Sequence, residues 1–341
     1  MKRLFIVYNP RSSRFSDVKK EVLNRQKDLR GYLVGKYEVE KTDVDKNAAK
    51  FAKLLKDGDF VIAAGGDATG VIAVNAILKS EKDVTLAVLP FGNFNDLSRT
   101  LGTKTLDDVL KSCESATNEQ FEVVRDNGSD LASEPRNDGR ERSGPKIARS
   151  SAYSNKFYPL EIYVDGNFFR YATCYITIGM MGEAVKLYDS PSVRKKLKTN
   201  FGRKISSYTS LASWYFKNRH KKIFLSEFKL NGKLQPKKTS DYAAINGKYM
   251  ARVMKGGDYY KKPKTFLHET DRLTNFWHLF KLMAKSILSH IPGTITEGDI
   301  LEFLEPSSIE IQAEGEYKTF DNVKKIEIRK SEKCLKVITK N

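Results

Sequence analysis

The first 115 residues repeat one pattern: a short run rich in Val, Ile, Leu and Phe, then an amphipathic stretch, then another apolar run. Leu4–Tyr8, Tyr37–Thr42, Asp59–Ala64 and Val84–Leu89 read as strands. Between them, Ser16 opens a helical pattern with Val18, Val22 and Leu29 on one side. Asn47–Lys56 carries Phe51, Leu54 and Leu55 and stops at Gly58. Thr69–Leu78, Asn95–Leu101 and Leu106–Cys113 complete the helical set. Strands that alternate with helices bury both faces only as a parallel sheet covered on each side. Such sheets take ligands beyond the carboxyl ends of their strands.

The pattern then breaks. Residues 126–156 are rich in Ser, Asp, Arg, Gly and Pro. A segment with so little apolar area does not offset its ordering entropy, so it reads as a flexible loop or insertion. Beyond it, Leu160–Val164, Phe168–Ile178, Ile223–Leu230 and Ile309–Gln312 are β-rich. Asp165-Gly166, Asn231-Gly232 and Glu314-Gly315 follow three of the runs or separate them. Asp-Gly and Asn-Gly favour tight hairpins because they tolerate positive φ. Short strands recur from Val323 to Ile338, and Ser206–Arg219 and Thr274–Ile291 read as helices. The expected division is an α/β lobe over 1–122, a loop over 126–156 and a mainly antiparallel lobe over 157–324. The C-terminal segment 325–341 is a candidate addition to the first lobe.

Charge supplies the first functional indication. The chain carries Lys+Arg 60 against Asp+Glu 42, a net +18. Between Lys186 and Lys264 there are 21 Lys and Arg against four acids, which holds nearly all of that excess. Charge concentrated in this way points to an anionic partner, either lipid or nucleic acid. No run approaches the ~20 apolar residues of a membrane-spanning helix, and the apolar start is too short for a signal peptide. Cys113, Cys174 and Cys334 are odd in number and far apart, which argues for packed, reduced thiols of a cytoplasmic protein. His220, His268, His278 and His290 lack zinc spacing.

Two loops carry the chemistry. After the strand ending at Ala64 comes Gly65-Gly66-Asp67-Ala68-Thr69, running into a helix. Glycines admit a phosphate close to the backbone, and the helix start offers N–H groups to an anion. An aspartate beside phosphates needs an intervening cation such as Mg²⁺. After the strand ending at Leu89 comes Pro90-Phe91-Gly92-Asn93-Phe94-Asn95-Asp96, again followed by a helix with Arg99. Each loop alone also fits a simple turn or cap. Together they open on one crevice.

Gly65-Gly66-Asp67-x-Thr69, followed by Pro90-x-Gly92-x-x-Asn95-Asp96 and Arg99, resembles the diacylglycerol kinase catalytic-domain family, which includes soluble bacterial diacylglycerol kinases and sphingosine kinases. Asn9-Pro10 resembles that family's first-strand motif. The resemblance implies a Rossmann-like α/β ATP-binding lobe followed by a mainly antiparallel β-sandwich lobe, with ATP between them. It implies ATP contacts at Asn9, Thr42, Gly65, Gly66, Asp67, Ala68, Thr69, Gly92, Asn93 and Asn95, and a catalytic Mg²⁺ near Asp67 and Asp96. In Ala313-Glu314-Gly315-Glu316, the match to the family's Asp-Gly-Glu hairpin makes Glu316 the general base for a lipid hydroxyl, with Asp67 the other catalytic residue. Ala68, Asn93 and Glu314 stand where the family has glycine, threonine and aspartate. Asp271-Arg272-Leu273-Thr274-Asn275 is a faint echo of the family's structural Mg²⁺ loop.

By this resemblance the chain is expected to be an ATP- and Mg²⁺-dependent lipid kinase, with diacylglycerol the leading acceptor. An NAD kinase-like enzyme and a non-catalytic nucleotide- or lipid-binding pseudokinase are the alternatives. The expected partner is an anionic membrane surface at the inner face of the membrane, contacted by Lys195, Lys196, Lys221 and Lys222 beside Trp214, Tyr215 and Phe216. No nucleic-acid module is recognised. A homodimer is left open.

Overall fold

The computed structural model describes residues 2–12, 14–41, 43–92, 94–112, 154–179, 182, 216, 225–237, 239–250, 254–255, 264–269 and 293–339. Thr42, Asn93, the segment 126–153, the helices expected at Ser206–Arg219 (Phe216 apart) and Thr274–Ile291, Asp271 and the four lysines at 195, 196, 221 and 222 lie outside them.

The first sheet holds β1 (Lys2–Tyr8), β2 (Tyr32–Glu38), β3 (Phe60–Gly65) and β4 (Thr85–Pro90) in the order β2-β1-β3-β4, all parallel. Side chains alternate between two cores. Val7, Val61, Ala63, Leu86 and Val88 face one core. Leu4, Ile6, Phe60, Ile62, Ala87 and Leu89 face the other. Helices α2 (Val44–Ala52) and α3 (Asp67–Ser80) fill the first core with Val44, Phe51, Val71, Val74 and Ile77. Helix α1 (Phe15–Glu21) and the helix over 106–112 fill the second with Val18, Leu106 and Val109. Both faces are therefore buried, as the near-continuous apolar strands require.

The second strand differs from its expected place. Tyr32–Glu38 pairs with β1 along its whole length, whereas Tyr37–Thr42 was the expected span. Gly35 lies in the middle of this strand. In space it makes room for Phe5, whose ring would stand 2.6 Å from a Cβ at that position.

Two distant strands extend this sheet. Leu335–Ile338 lies parallel to β4, and Ser154–Phe157 lies antiparallel beyond it. The segment 325–341 thus divides: Glu316–Lys330 stays in the second sheet and only Leu335–Ile338 returns to the first.

The second sheet is antiparallel in all its described strand pairs. It runs Thr294–Ile295, Lys264–Glu269, Thr239–Ile245, Tyr175–Gly179, Gly298–Ala313, Glu316–Lys330, Leu160–Val164, Asn167–Ala172. Its core gathers Leu160, Ile162, Ile176, Ile178, Tyr242, Leu301, Ile311 and Ile326. Asp165-Gly166, Asn231-Gly232 and Glu314-Gly315 all turn with positive φ at both residues, the conformation a two-residue hairpin of this hand needs. The two-lobe class expected from sequence, α/β followed by mainly antiparallel β, is the architecture found.

The lobes share buried contacts. The first core continues through Tyr171, Cys174, Tyr175, Ala243 and Ile245 of the second lobe. Asn75, fully buried in α3, donates to the Tyr171 carbonyl at 2.9 Å and accepts the Tyr171 N–H at 3.0 Å. Arg170 reaches Asp45 of α2 at 2.8 Å. The Asn75 bonds satisfy groups that burial would otherwise leave unpaired.

Candidate active site

The sheet order β2-β1-β3-β4 places a topological switch point between β1 and β3, where crevices for ligands open in this class of sheet. The loop after β1 carries Asn9, and the loop after β3 carries Gly66 and Asp67. The loop after β4 lies alongside and carries Gly92, Asn95 and Asp96.

Asp67 joins two of these loops. It sits in the first turn of α3, yet its carboxylate reaches across to the start of α4 (Asp96–Leu101). Oδ2 accepts the Asn95 N–H at 2.9 Å, and Oδ1 accepts the Asp96 N–H at 2.7 Å. Two orphan donors at a helix start are thereby satisfied, with the anion on the favourable end of the dipole. Burial pushes the Asp67 carboxyl above its ordinary range, and the N–H groups of Asn95, Asp96 and Leu97 pull it back.

The glycines serve the same junction. A Cβ on Gly92 would stand 2.2 Å from the Gly66 Cα, so the two loop backbones touch. Asn95 takes a left-handed conformation, φ 58°, and clamps its own loop. Its side chain accepts the Gly92 N–H at 2.7 Å and donates to the Gly92 carbonyl at 2.9 Å. Thr69 is buried with its hydroxyl against Gly65. Ala68 lies in the first helical turn and is not among the positive-φ residues, so its methyl strains nothing. Among the described residues no side chain caps α3, which leaves first-turn N–H groups for an anion.

The loop after β1 is tied in as well. The Asn9 side chain accepts the Arg11 N–H at 3.0 Å and its carbonyl accepts the Ser12 N–H. Ser12 donates to the Phe91 carbonyl at 3.3 Å, and Arg14 to the Pro90 carbonyl at 3.0 Å. Sequence reading missed Ser12 and Arg14, which carry no motif of their own. Asp96 is 1% exposed and pairs with Arg99 at 3.8 Å, while Arg99 stacks on Tyr249 of the second lobe.

The hairpin of the second lobe brings two glutamates. Glu316 is half-buried at the first residue of the returning strand, opposite Ala313. Glu314 is buried, and its Oε1 accepts the N–H groups of Thr173 and Cys174 and the Thr173 hydroxyl. Burial, with the Asp67 charge as a lesser contributor, pushes the Glu314 carboxyl up to about 7. Burial also pushes the Cys174 thiol up, helped by Glu314, Asp96 and Asp67. The three carboxylates therefore lie within electrostatic reach of one buried residue.

Among the described residues, no three His, Cys, Asp or Glu side chains gather to hold a metal ion. The Asp67 oxygens already accept the Asn95 and Asp96 N–H groups, and the Leu97 N–H also bears on them. That donor set fits Mg²⁺ held through waters and phosphate oxygens, which is how this ion usually binds. No described helix is long and apolar enough to cross a membrane.

Residues 3–125 match the family model described as the diacylglycerol kinase catalytic domain. Over those residues the chain is similar to that catalytic domain. Among curated relatives, the diacylglycerol kinase of Bacillus subtilis (strain 168) is 36% identical over 120 residues, 35% of this chain and 39% of that protein. The diacylglycerol kinase of Staphylococcus carnosus (strain TM300) is 34% identical over 113 residues, 33% of this chain and 36% of that one. The chain thus matches less than half the length of these relatives. The crystal structure of a diacylglycerol kinase from Bacillus anthracis str. Sterne shares the fold over 99% of this chain and 97% of its own, with a TM-score of 0.60 at 16% identity. The matched residues contain both loops joined by Asp67.

Proposed function

We propose that the chain is an ATP- and Mg²⁺-dependent lipid kinase that transfers the γ-phosphoryl group to a lipid hydroxyl, with diacylglycerol as the leading acceptor and phosphatidic acid as product. The observation that carries this reading is the Asp67 clasp. A carboxylate binds the loop after β3 to the loop after β4 at the switch point of a parallel sheet.

In this reading the backbone of Gly65–Thr69 and the loops of Asn9, Thr42 and Gly92–Asn95 cradle the nucleotide. The uncapped start of α3 attracts its phosphates. Mg²⁺, when bound, neutralises charge on the transferring phosphoryl group. Asp67 and Asp96 are the residues that would hold the ion. The lipid oxygen attacks the γ-phosphorus, the bond to the β–γ bridging oxygen breaks, and ADP leaves. Glu316 accepts the hydroxyl proton. The basic stretch containing Lys195, Lys196, Lys221 and Lys222 faces the anionic inner surface of the membrane, where a peripheral enzyme meets its lipid.

The test uses purified full chain, labelled ATP, Mg²⁺ and a panel of diacylglycerol, sphingoid base, monoacylglycerol, phosphatidylglycerol and NAD. Labelled phosphatidic acid is expected. Label on NAD alone, or ATP binding with no labelled product, overturns the reading. E316Q is nearly isosteric and is expected to keep ATP binding while transfer falls about 10²–10⁴-fold. Loss of both together makes the hairpin structural and removes Glu316 as base.

A further inference from the structure

Glu314 is 4% exposed and uses its two oxygens unequally. Oε1 takes three donors: the Thr173 N–H, the Thr173 hydroxyl and the Cys174 N–H. Oε2 is buried with no partner among the described residues. A buried carboxyl with an orphan oxygen is costly. A position that needed only a two-residue turn would take Asn or Asp at no such cost.

The turn that Glu314 grips is a junction. Thr173 and Cys174 link Asn167–Ala172 to Tyr175–Gly179. The Cys174 carbonyl accepts the N–H groups of Asn246 at 2.7 Å and Gly247 at 2.8 Å, and the Thr173 carbonyl accepts the Asn246 amide at 2.8 Å. On the other side stands α4. Its Thr100 hydroxyl lies 3.8 Å from the Cys174 sulfur and accepts the Lys248 N–H at 3.1 Å. The same helix begins at Asp96, whose N–H is held by Asp67.

A continuous set of contacts thus runs from Asp67 through α4 to the Thr173-Cys174 turn, and from there through Glu314 to the hairpin that carries Glu316. We propose that Glu314 is a positioning residue: its Oε1, seated on the Thr173-Cys174 turn, holds the hairpin so that Glu316 stands at a fixed place relative to the Asp67 loops. The inference rests on the lipid-kinase reading for its chemical consequence and on geometry for its anchor. It requires an acceptor oxygen at this point, not a charge. An amide oxygen at full reach meets that requirement, a truncated side chain does not, and a carboxylate one methylene shorter is withdrawn from the donors.

The experiment compares E314A, E314D and E314Q in the full chain by steady-state kinetics and by amide hydrogen exchange. Misplacing a reacting group by about 1 Å costs on the order of 10²-fold. E314A is therefore expected to lower kcat about 10–100-fold, with KM for ATP within about twofold, since first-lobe loops hold the nucleotide. E314D is expected to follow E314A, and E314Q to recover most of the loss. The Thr173, Cys174, Glu316 and Tyr317 amides are expected to exchange faster in E314A and to regain protection in E314Q. An unchanged kcat in E314A overturns the proposal, as does E314Q no better than E314A. If the wild type phosphorylates no lipid, the lipid-kinase reading fails. The exchange data then still decide the anchor, and equal protection in wild type and E314A removes it.

Discussion

Asp67 and Asn95 stand 28 residues apart in sequence, and the Asp67 carboxylate accepts the Asn95 N–H at 2.9 Å. The aspartate of one phosphate-type loop is therefore also the cap of the helix that follows the other. Its structural and chemical parts are not separable by charge alone.

That double role changes what D67N does. The new amide has one acceptor oxygen, and its NH₂ faces an N–H of α4 where Asp67 had an oxygen. Loss of a helix cap costs about 0.5–2 kcal/mol. D67N is expected to lower the unfolding temperature measurably and to reduce transfer by roughly 10²-fold or more. Thermal unfolding measured beside turnover checks both. Near-normal turnover in a destabilised D67N protein would leave Asp67 with the cap alone.

The contact between the loops is tested at Gly92. A Cβ there meets the Gly66 Cα at 2.2 Å, with no flexible side chain to move away. G92A must separate the two backbones, a distortion of the overpacking kind that costs about 1–3 kcal/mol. ATP affinity is expected to fall with stability, read by calorimetry and denaturant unfolding. Wild-type values for both would show that the loops separate freely.

The buried Glu314 carboxyl gives stability a pH dependence. Its folded value of about 7 lies above the ordinary glutamate value of 4.5. The folded state therefore binds the extra proton, and the contribution is fully present below pH ~4.5 and lost as pH rises through ~7. The amount at stake is on the order of 3 kcal/mol. E314Q has no such proton to lose, so its stability is expected to gain on the wild type between pH 5 and 8. Parallel pH profiles of the two proteins would place the Glu314 carboxyl in a solvated setting.

The basic stretch is tested on vesicles. Lys195, Lys196, Lys221 and Lys222 changed together to Glu are expected to weaken binding to anionic vesicles, at about 1 kcal/mol for each basic residue lost. Activity on a short-chain, detergent-dispersed acceptor is expected to survive. Wild-type binding should weaken with salt as screening shortens from ~10 Å at 0.1 M to ~3 Å at 1 M. Salt-insensitive binding with no effect of the charge reversal would move the anchor elsewhere.

The amino-acid sequence by itself determined the features that depend on near neighbours. Apolar strands alternating with amphipathic helices specify a parallel sheet with two covered faces, and the alternating cores bear this out. Asp165-Gly166, Asn231-Gly232 and Glu314-Gly315 specify hairpins because positive φ is a local property of each residue pair. The Gly-Gly-Asp and Gly-x-x-Asn-Asp loops were legible for the same reason: each is a contiguous run after a strand. Only the tertiary structure decided what those loops do to each other. The Asp67 bonds to Asn95 and Asp96, the touching backbones at Gly66 and Gly92, and the burial of Glu314 on Thr173 and Cys174 join residues far apart in the chain. Leu335–Ile338 beside β4 is of the same kind, since four apolar-periodic residues carry no sign of which edge they will pair with. So is the place of Gly35, which seats the Phe5 ring of the neighbouring strand. Local conformation follows from the residue and its neighbours, whereas burial and partner choice are settled only when distant segments compete for the same surface.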